Sequence, residues 1–415
     1  MKKDIPYSFV SLSHSTKKII GEISISGSKS ESNRLLILSY LYKNLKINNL
    51  STSDDTLSMI NGLNSEDDLI DVGHSGTTMR FLTSFFSISK KSKKILTGSP
   101  RMLERPIKIL VDALTELGAK IDYKKKQGYP PLIINGRNIL GGSIELSSEI
   151  SSQYISSLLL IAPKLKNGLE LLLKGNITSL PYIEMTCNLL KKIGIGVDFS
   201  ASRIKVFPKN EINPVTIEVE SDWSSASYHY SIIALAKKGK VVLSSFNKNS
   251  LQGDNVLAKI YNDFGVKTTF LNKKIILEKK SNVKKHIDLD LIKSPDLAQT
   301  IVVSCYGLGI SCNLSGLHTL KIKETDRLLA LYNELKKIGA KVEITENSIF
   351  LNERTNEINE NVLIETYNDH RMAMAFAPLA LISNLKIKYP SVVSKSYPYF
   401  WNDLSKLGFK TFFNN

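Results

Sequence analysis

Apolar residues recur at i, i+3, i+4 and i+7 in five stretches of the chain, residues 107–123, 182–199, 256–270, 328–344 and 399–413. In one of them the positions are Leu328, Leu331, Leu335 and Ile338. This period predicts helices with a single buried face. Each pattern stops at a glycine, at 118, 194, 265, 339 and 408, and a short β-like run follows. Glycine just past a helix takes the left-handed backbone conformation cheaply, so these residues are predicted helix terminators. The spacing between them, 69 to 76 residues, marks a repeat.

A second segment type alternates with the first: small polar residues leading straight into an apolar run, beginning at Gly27, Ser75, Ser151, Ser221, Ser294 and Asn368. Such side chains accept the orphan backbone N–H groups of a helix start. With β-like stretches such as 240–244 and 274–277, the pattern predicts about six copies of one mixed unit in helix, sheet and helix layers. Only some twenty residues separate Asp55 from Ser75, so the first copy is expected to carry a truncated strand pair.

At 415 residues, 42% of them apolar, the chain is expected to form more than one domain. It contains no apolar run of membrane-spanning length, and its first residues lack the apolar core of a secretory signal, so a soluble cytoplasmic protein is expected. Cys187, Cys305 and Cys312 show no CxxC spacing, and the six histidines form no HExxH or HxH pair. Neither disulfides, a metal site nor a cofactor is expected.

The net charge of +16 suits anionic partners without choosing among nucleic acid, membrane and small phosphorylated molecules. The nine arginines are more informative than the many lysines. A cation in the first turns of a helix opposes the helix dipole at a cost of about 0.3–1 kcal/mol. Yet Lys29, Arg34, Arg80, Arg327, His370 and Arg371 all sit near predicted helix starts, and Arg101 and Arg105 precede Pro106, a predicted first helical residue. A bound anion removes the conflict, because backbone N–H groups, helix dipole and guanidinium then face one negative group. The bland alternative is local: in KETDR, Lys323, Glu324, Asp326 and Arg327 pair with one another on a solvated helix start.

The stretches GSKSESNR, SGTTMRFL, LTGSPRMLERPI, SSQY, SASY, LQGDN, KETDR and NDHRMAMAF stand in this order along the chain. In this the sequence, from Ile23 to Phe413, resembles the enolpyruvyl transferase family of EPSP synthase, 3-phosphoshikimate 1-carboxyvinyltransferase. The resemblance implies a mixed α/β, two-domain fold of six βαβαββ repeats, three per domain, joined by a double-stranded hinge near Ser26 and Ser221 and closing on substrate. One domain would span 26–221, with the first repeat shortened, and the other 1–25 plus 222–415.

The resemblance also implies the site. Lys29, Ser30, Arg34, Ser151, Ser152, Gln153, Ser179, Tyr182, Asp296 and Lys323 match positions that bind shikimate 3-phosphate. Lys29, Gly76, Arg101, Gln153, Arg327, Arg371 and Lys395 match positions on phosphoenolpyruvate. Asp296 is the implied base, with Lys323 or Glu324 delivering the proton and Lys29 completing the catalytic set. From the residues alone, the serines read equally as caps or turn formers. The expected partners are these two small molecules, with no nucleic acid and no membrane, and a monomer is expected.

His74, Phe81 and Thr319 depart from the commonest family pattern. Phe81 follows Arg80 on the helix that opens at Gly76, which suggests altered sensitivity to glyphosate, the family's phosphoenolpyruvate-competitive inhibitor. Two other readings compete. The sister transferase acting on UDP-N-acetylglucosamine most often uses a loop cysteine, and here no cysteine lies in a Gly-rich loop. A nucleic-acid-binding or RNA-terminal phosphate cyclase-like protein predicts aromatics interleaved with the basic motifs, which contain almost none.

Overall fold

The computed structural model describes residues 7–90, 92–147, 151–175, 179–200, 202–354 and 357–414. All five glycines of the repeat take positive φ, between 74° and 104°. After each, the next residue donates to the carbonyl five positions back, at 2.8–3.1 Å: Ala119 to Leu114, Ile195 to Leu190, Val266 to Tyr261, Ala340 to Leu335 and Phe409 to Leu404. The five helices therefore end in the same bond, and the reversal delivers four of them into β-hairpins and the fifth into Lys410–Asn414, which pairs antiparallel with Phe9–Ser13.

Among the described residues, five four-stranded sheets share one order. In one, Leu69–Asp71 runs parallel to Lys93–Thr97, which pairs antiparallel with Leu132–Asn135, itself paired with Lys120–Tyr123. The same order recurs around Leu169–Lys174, Lys238–Ser244, Ser311–Ser315 and Leu385–Lys388. In four of these sheets one α-helix joins the parallel strands, whereas Lys18–Ile23 and Lys238–Ser244 are separated by residues 24–237, and in all five an α-helix precedes the outer antiparallel strand. The sixth sheet has only two strands, Leu45–Asn48 parallel to Val215–Glu218.

The expected truncated strand pair is absent altogether, since no strand lies between the helix Asp54–Asn64 and Leu69. Instead the Lys94 ammonium gathers the carbonyls of Ser65, Glu66 and Asp67 at 3.2, 3.0 and 2.6 Å. A cation there satisfies acceptors that a strand would otherwise have to pair.

The chain divides into two compact units, one of Gly27–Val219 and one of Met1–Ser26 with Glu220–Asn415. Two strands near the start belong to the second. Phe9–Ser13 lies between Leu385–Lys388 and Lys410–Asn414, and Lys18–Ile23 runs parallel to Lys238–Ser244.

Within each unit three helices are buried on nearly every side. Trp223–Leu235, Ala298–Leu308 and His370–Phe376 form such a set in one unit, while Lys29–Leu41, Gly76–Ile88 and Ser152–Ile161 form it in the other. Small hydroxyls pair where these helices meet: Ser231 with Ser304 at 2.8 Å, Ser227 with Thr300 at 3.2 Å, and Ser84 with Ser157. Buried hydroxyls need partners, and finding them on the neighbouring helix fixes register without leaving a void. Among the described residues no helix is long and apolar enough to cross a membrane.

Candidate active site

In the Gly27–Val219 unit, five helices bring their amino ends together. Lys29, the first residue of its helix, pairs with Asp55 at 3.0 Å in the first turn of Asp54–Asn64. The Asp55 carbonyl in turn accepts from Thr78 near the start of Gly76–Ile88, and Thr77 accepts from Gln153 at 3.4 Å near the start of Ser152–Ile161. One turn deeper, Arg34 donates to Thr186 at 2.7 Å, to Ser156 at 3.0 Å and to the carbonyls of Ser30 and Tyr182 at 2.8 and 3.2 Å. Lys29, Ser30, Arg34, Gly76, Ser151, Ser152, Gln153, Ser179 and Tyr182 thus share one end of this unit, where several helix dipoles point their positive poles.

Caps explain several of the small residues. Ser28, Ser53, Ser75, Ser99 and Ser151 each accept a backbone N–H at a helix start. Ser179 differs, taking φ 54° ahead of Leu180–Lys192 and making no capping bond. The left-handed conformation costs a non-glycine residue about 1–2 kcal/mol, and here no bond of the hydroxyl to its own helix offsets it.

Arg34 makes no direct ion pair among the described residues, although the Glu31 carboxylate acts on it through space. Burial lowers its pKa to about 10, and its guanidinium lies over the rings of Phe81 and Tyr182 at 5.5 and 5.9 Å. Phe81, a departure from the family pattern, therefore packs on Arg34. Arg101 sits in the four-residue helix Pro100–Leu103, half-exposed and paired with Glu104 at 3.1 Å. Pro100, not Pro106, takes the first helical position, and the helix after Pro106 begins at Lys108.

The other unit holds a denser charge cluster. The Arg327 fork, 2% exposed, donates to Asp369 at 2.7 Å, Asp296 at 2.9 Å and Glu324 at 2.9 Å. Arg371 reaches the second Asp296 oxygen at 3.1 Å and the Ser224 hydroxyl at 3.4 Å. Lys395 meets Glu324 at 2.7 Å, and Lys323 lies 3.4 Å from Asp296. The pairing of Arg327 with Glu324 is the local one that KETDR suggested, but it is buried and tied to three other segments.

Burial acts to raise the Asp296 carboxyl, yet Arg371, Lys323 and Arg327 overcome it and hold the group well below the usual carboxylate range. Lys323 is pushed down, chiefly by burial, with Asp296 opposing and Arg327 assisting. Burial works against the charge of Arg327, but Asp369, Glu324 and Asp296 outweigh it and raise its pKa. The result is an ionised base beside an ammonium that parts with its proton more readily than an ordinary lysine.

The family description EPSP synthase (3-phosphoshikimate 1-carboxyvinyltransferase) matches residues 14–65 and 62–404. The 3-phosphoshikimate 1-carboxyvinyltransferase of Bacteroides fragilis strain YCH46 is 44% identical over 396 residues, covering 94% of this chain and 96% of that protein. The chain belongs to the EPSP synthase family. Another relative with that printed name, from Histophilus somni, is 37% identical over 422 residues, with 94% and 97% covered. A solved EPSP synthase structure from Acinetobacter baumannii matches with TM-score 0.78 at 20% identity over 97% of this chain and 99% of that one, which supports the fold.

Beside the residues expected in an EPSP synthase, the structure places several that sequence reasoning left without a role. Asp55 pairs with Lys29, Asp369 with Arg327, and Asp254 accepts from Ser224, the residue that Arg371 also contacts. Asp254 and Asp369 stood inside recognised motifs, LQGDN and NDHR. The available signal was their charge: cations at buried helix starts need carboxylates as well as substrate.

Proposed function

We propose that this chain transfers the enolpyruvyl group of phosphoenolpyruvate to the 5-hydroxyl of shikimate 3-phosphate, giving 5-enolpyruvylshikimate 3-phosphate and phosphate. The hydroxyl oxygen bonds to C2 of phosphoenolpyruvate while its proton passes to Asp296, and a proton from Lys323 or Glu324 goes to C3. The C2–O bond to phosphate then breaks, and the new methyl group returns one proton to restore the double bond.

The observation that carries this reading is the Asp296 carboxylate, ionised by Arg371, Lys323 and Arg327 in a chain of this family. Its low pKa makes it a weak base while those pairs hold. Anionic substrate that draws Arg327 and Arg371 away removes the charges that keep Asp296 acidic, and its basicity climbs when the reacting hydroxyl needs it. Lys29, Ser30, Arg34, Ser151, Ser152, Gln153, Ser179, Tyr182, Asp296 and Lys323 serve shikimate 3-phosphate in this assignment. Gly76, Arg101, Arg327, Arg371 and Lys395, with Lys29 and Gln153, serve phosphoenolpyruvate. Fixed cations of this kind stabilise developing charge without reorganising during the step. A monomeric cytoplasmic enzyme accompanies the reading.

Mixing the purified protein with shikimate 3-phosphate and phosphoenolpyruvate and following phosphate release is the direct test, with UDP-N-acetylglucosamine as the control acceptor. Turnover is expected with the first acceptor only. Lys323→Ala and Arg101→Ala should each lower kcat/KM by about 10²-fold or more, the scale of a lost acid–base group or charge clamp. Ordinary rates in both would remove the site assignment.

A further inference from the structure

Three arginines stand on the helix Gly76–Ile88 or on the segment 98–105, whose Ser99 bonds to His74 and Gly73 just ahead of that helix, and two have partners. Arg80 donates to the carbonyls of Gly76 and Pro106, and Arg101 pairs with Glu104. The third, Arg105, is 9% exposed, and among the described residues its side chain has neither a hydrogen bond nor an ion pair. None of its nitrogens is fully buried, so the packed side chain holds its fork open to solvent or to a ligand.

Its position is specific. A Cβ built on Gly76 would stand 2.7 Å from Nη1 and 2.8 Å from Nη2 of Arg105, so the guanidinium lies against the first residue of the helix. There the Ser75 hydroxyl caps Thr78, while the N–H groups of Gly76 and Thr77 precede the first intrahelical bonds. A free cation, two free backbone donors and the positive end of a 13-residue helix converge on one point. The chemistry that satisfies all of them is a compact oxyanion.

We propose that Arg105 is a further phosphoenolpyruvate-binding residue, donating to the phosphate of that substrate beside Gly76. The inference rests on the reading of Gly76 as part of the phosphoenolpyruvate site. It also gives residue 76 a second reason to be glycine: any side chain there displaces the guanidinium as well as crowding the ligand.

The native enzyme is assayed first, since absence of turnover with shikimate 3-phosphate and phosphoenolpyruvate defeats the reading of the site rather than the role of Arg105. With turnover established, KM for each substrate and the melting temperature are measured for Arg105→Gln and Arg105→Lys. Arg105→Gln is expected to raise KM for phosphoenolpyruvate at least tenfold, leave KM for shikimate 3-phosphate within twofold, and be partly rescued in Arg105→Lys. If Arg105→Gln does not fold, Arg105→Lys is compared with and without Gly76→Ala. Gly76→Ala should then raise KM for phosphoenolpyruvate in the native background and add less than threefold to Arg105→Lys, because the two changes disturb one contact. An unchanged KM for phosphoenolpyruvate in a folded variant overturns the proposal. So does an equal rise in both KM values, or full additivity in the cycle.

Discussion

At the scale of single residues, Asp254 shows what burial does to a carboxyl that has only one hydroxyl bonded to it. It is 6% exposed and accepts from Ser224, and burial pushes its pKa up to about 6, with Arg371 and the Ser224 bond opposing. The unfolded chain gives up this proton near pH 4, whereas the native state keeps it until about pH 6. Between those values the native state binds more protons, so this group makes stability fall as pH rises, and the penalty is complete above about pH 6. Asp254→Asn keeps the acceptor for Ser224 and removes the titration. The variant should lose the pH dependence that this residue contributes between pH 4 and 6, and at pH 7 be more stable by roughly 1–3 kcal/mol. Denaturant melts at both pH values check this, and equal slopes for the two proteins would refute it. Nothing local announced the role: the Ser224 hydroxyl lies thirty positions away in sequence.

At the scale of elements, the legible features were those that a few adjacent residues decide. The five terminating glycines and the capped helix starts follow from backbone conformations and orphan N–H groups within one turn; the structure places the glycines where the pattern predicts and caps five of the six predicted starts, Ser294 being the one whose side chain makes no capping bond. The missing strand pair after Asp54–Asn64 was not legible as a loss, because short spacing alone does not distinguish a cut strand from none, and Lys94 is 29 residues from the carbonyl of Ser65 that it satisfies. The Arg327 network was legible in its cations and in Asp296 and Glu324, and obscure in Asp369, which lies 42 residues beyond. A local feature permits a local test. Gly339 takes φ 95°, and a Cβ there would meet no atom nearer than 3.6 Å, so the cost of a side chain is conformational rather than steric. Gly339→Ala should therefore destabilise by about 1 kcal/mol, and Gly339→Asn by less, because Asn tolerates the left-handed region better. Equal stability of Gly339→Ala and the native protein in urea would contradict the reading of this helix end.

At the scale of the whole molecule, the unit that contains Asp296 is assembled from both ends of the chain. Phe9–Ser13 completes one of its sheets and Lys18–Ile23 another, and Val10, Leu12, Ile19 and Ile23 from these strands are 0–2% exposed. Burying four such side chains contributes roughly 6–12 kcal/mol, as much as an entire domain's net stability. Residues 220–415 produced alone should therefore fail to fold, exposing both a broken core and two unpaired strand edges. Phe9 pairs with Asn414, so the two ends of this unit already lie side by side. Joining Asn415 to Met1 and beginning the chain at Glu220 gives 220–415 followed by 1–26, the same unit in continuous order. That permuted chain should be soluble and unfold in one cooperative transition, with Asp296, Lys323, Glu324, Arg327, Asp369 and Arg371 all present within it. A permuted chain that stays unfolded while the full-length protein is stable would mean that this unit depends on residues 27–219 for its fold. Independence would instead locate the electrostatics that hold Asp296 ionised within this one unit, where the same carboxyl should titrate in the permuted domain as it does in the intact enzyme.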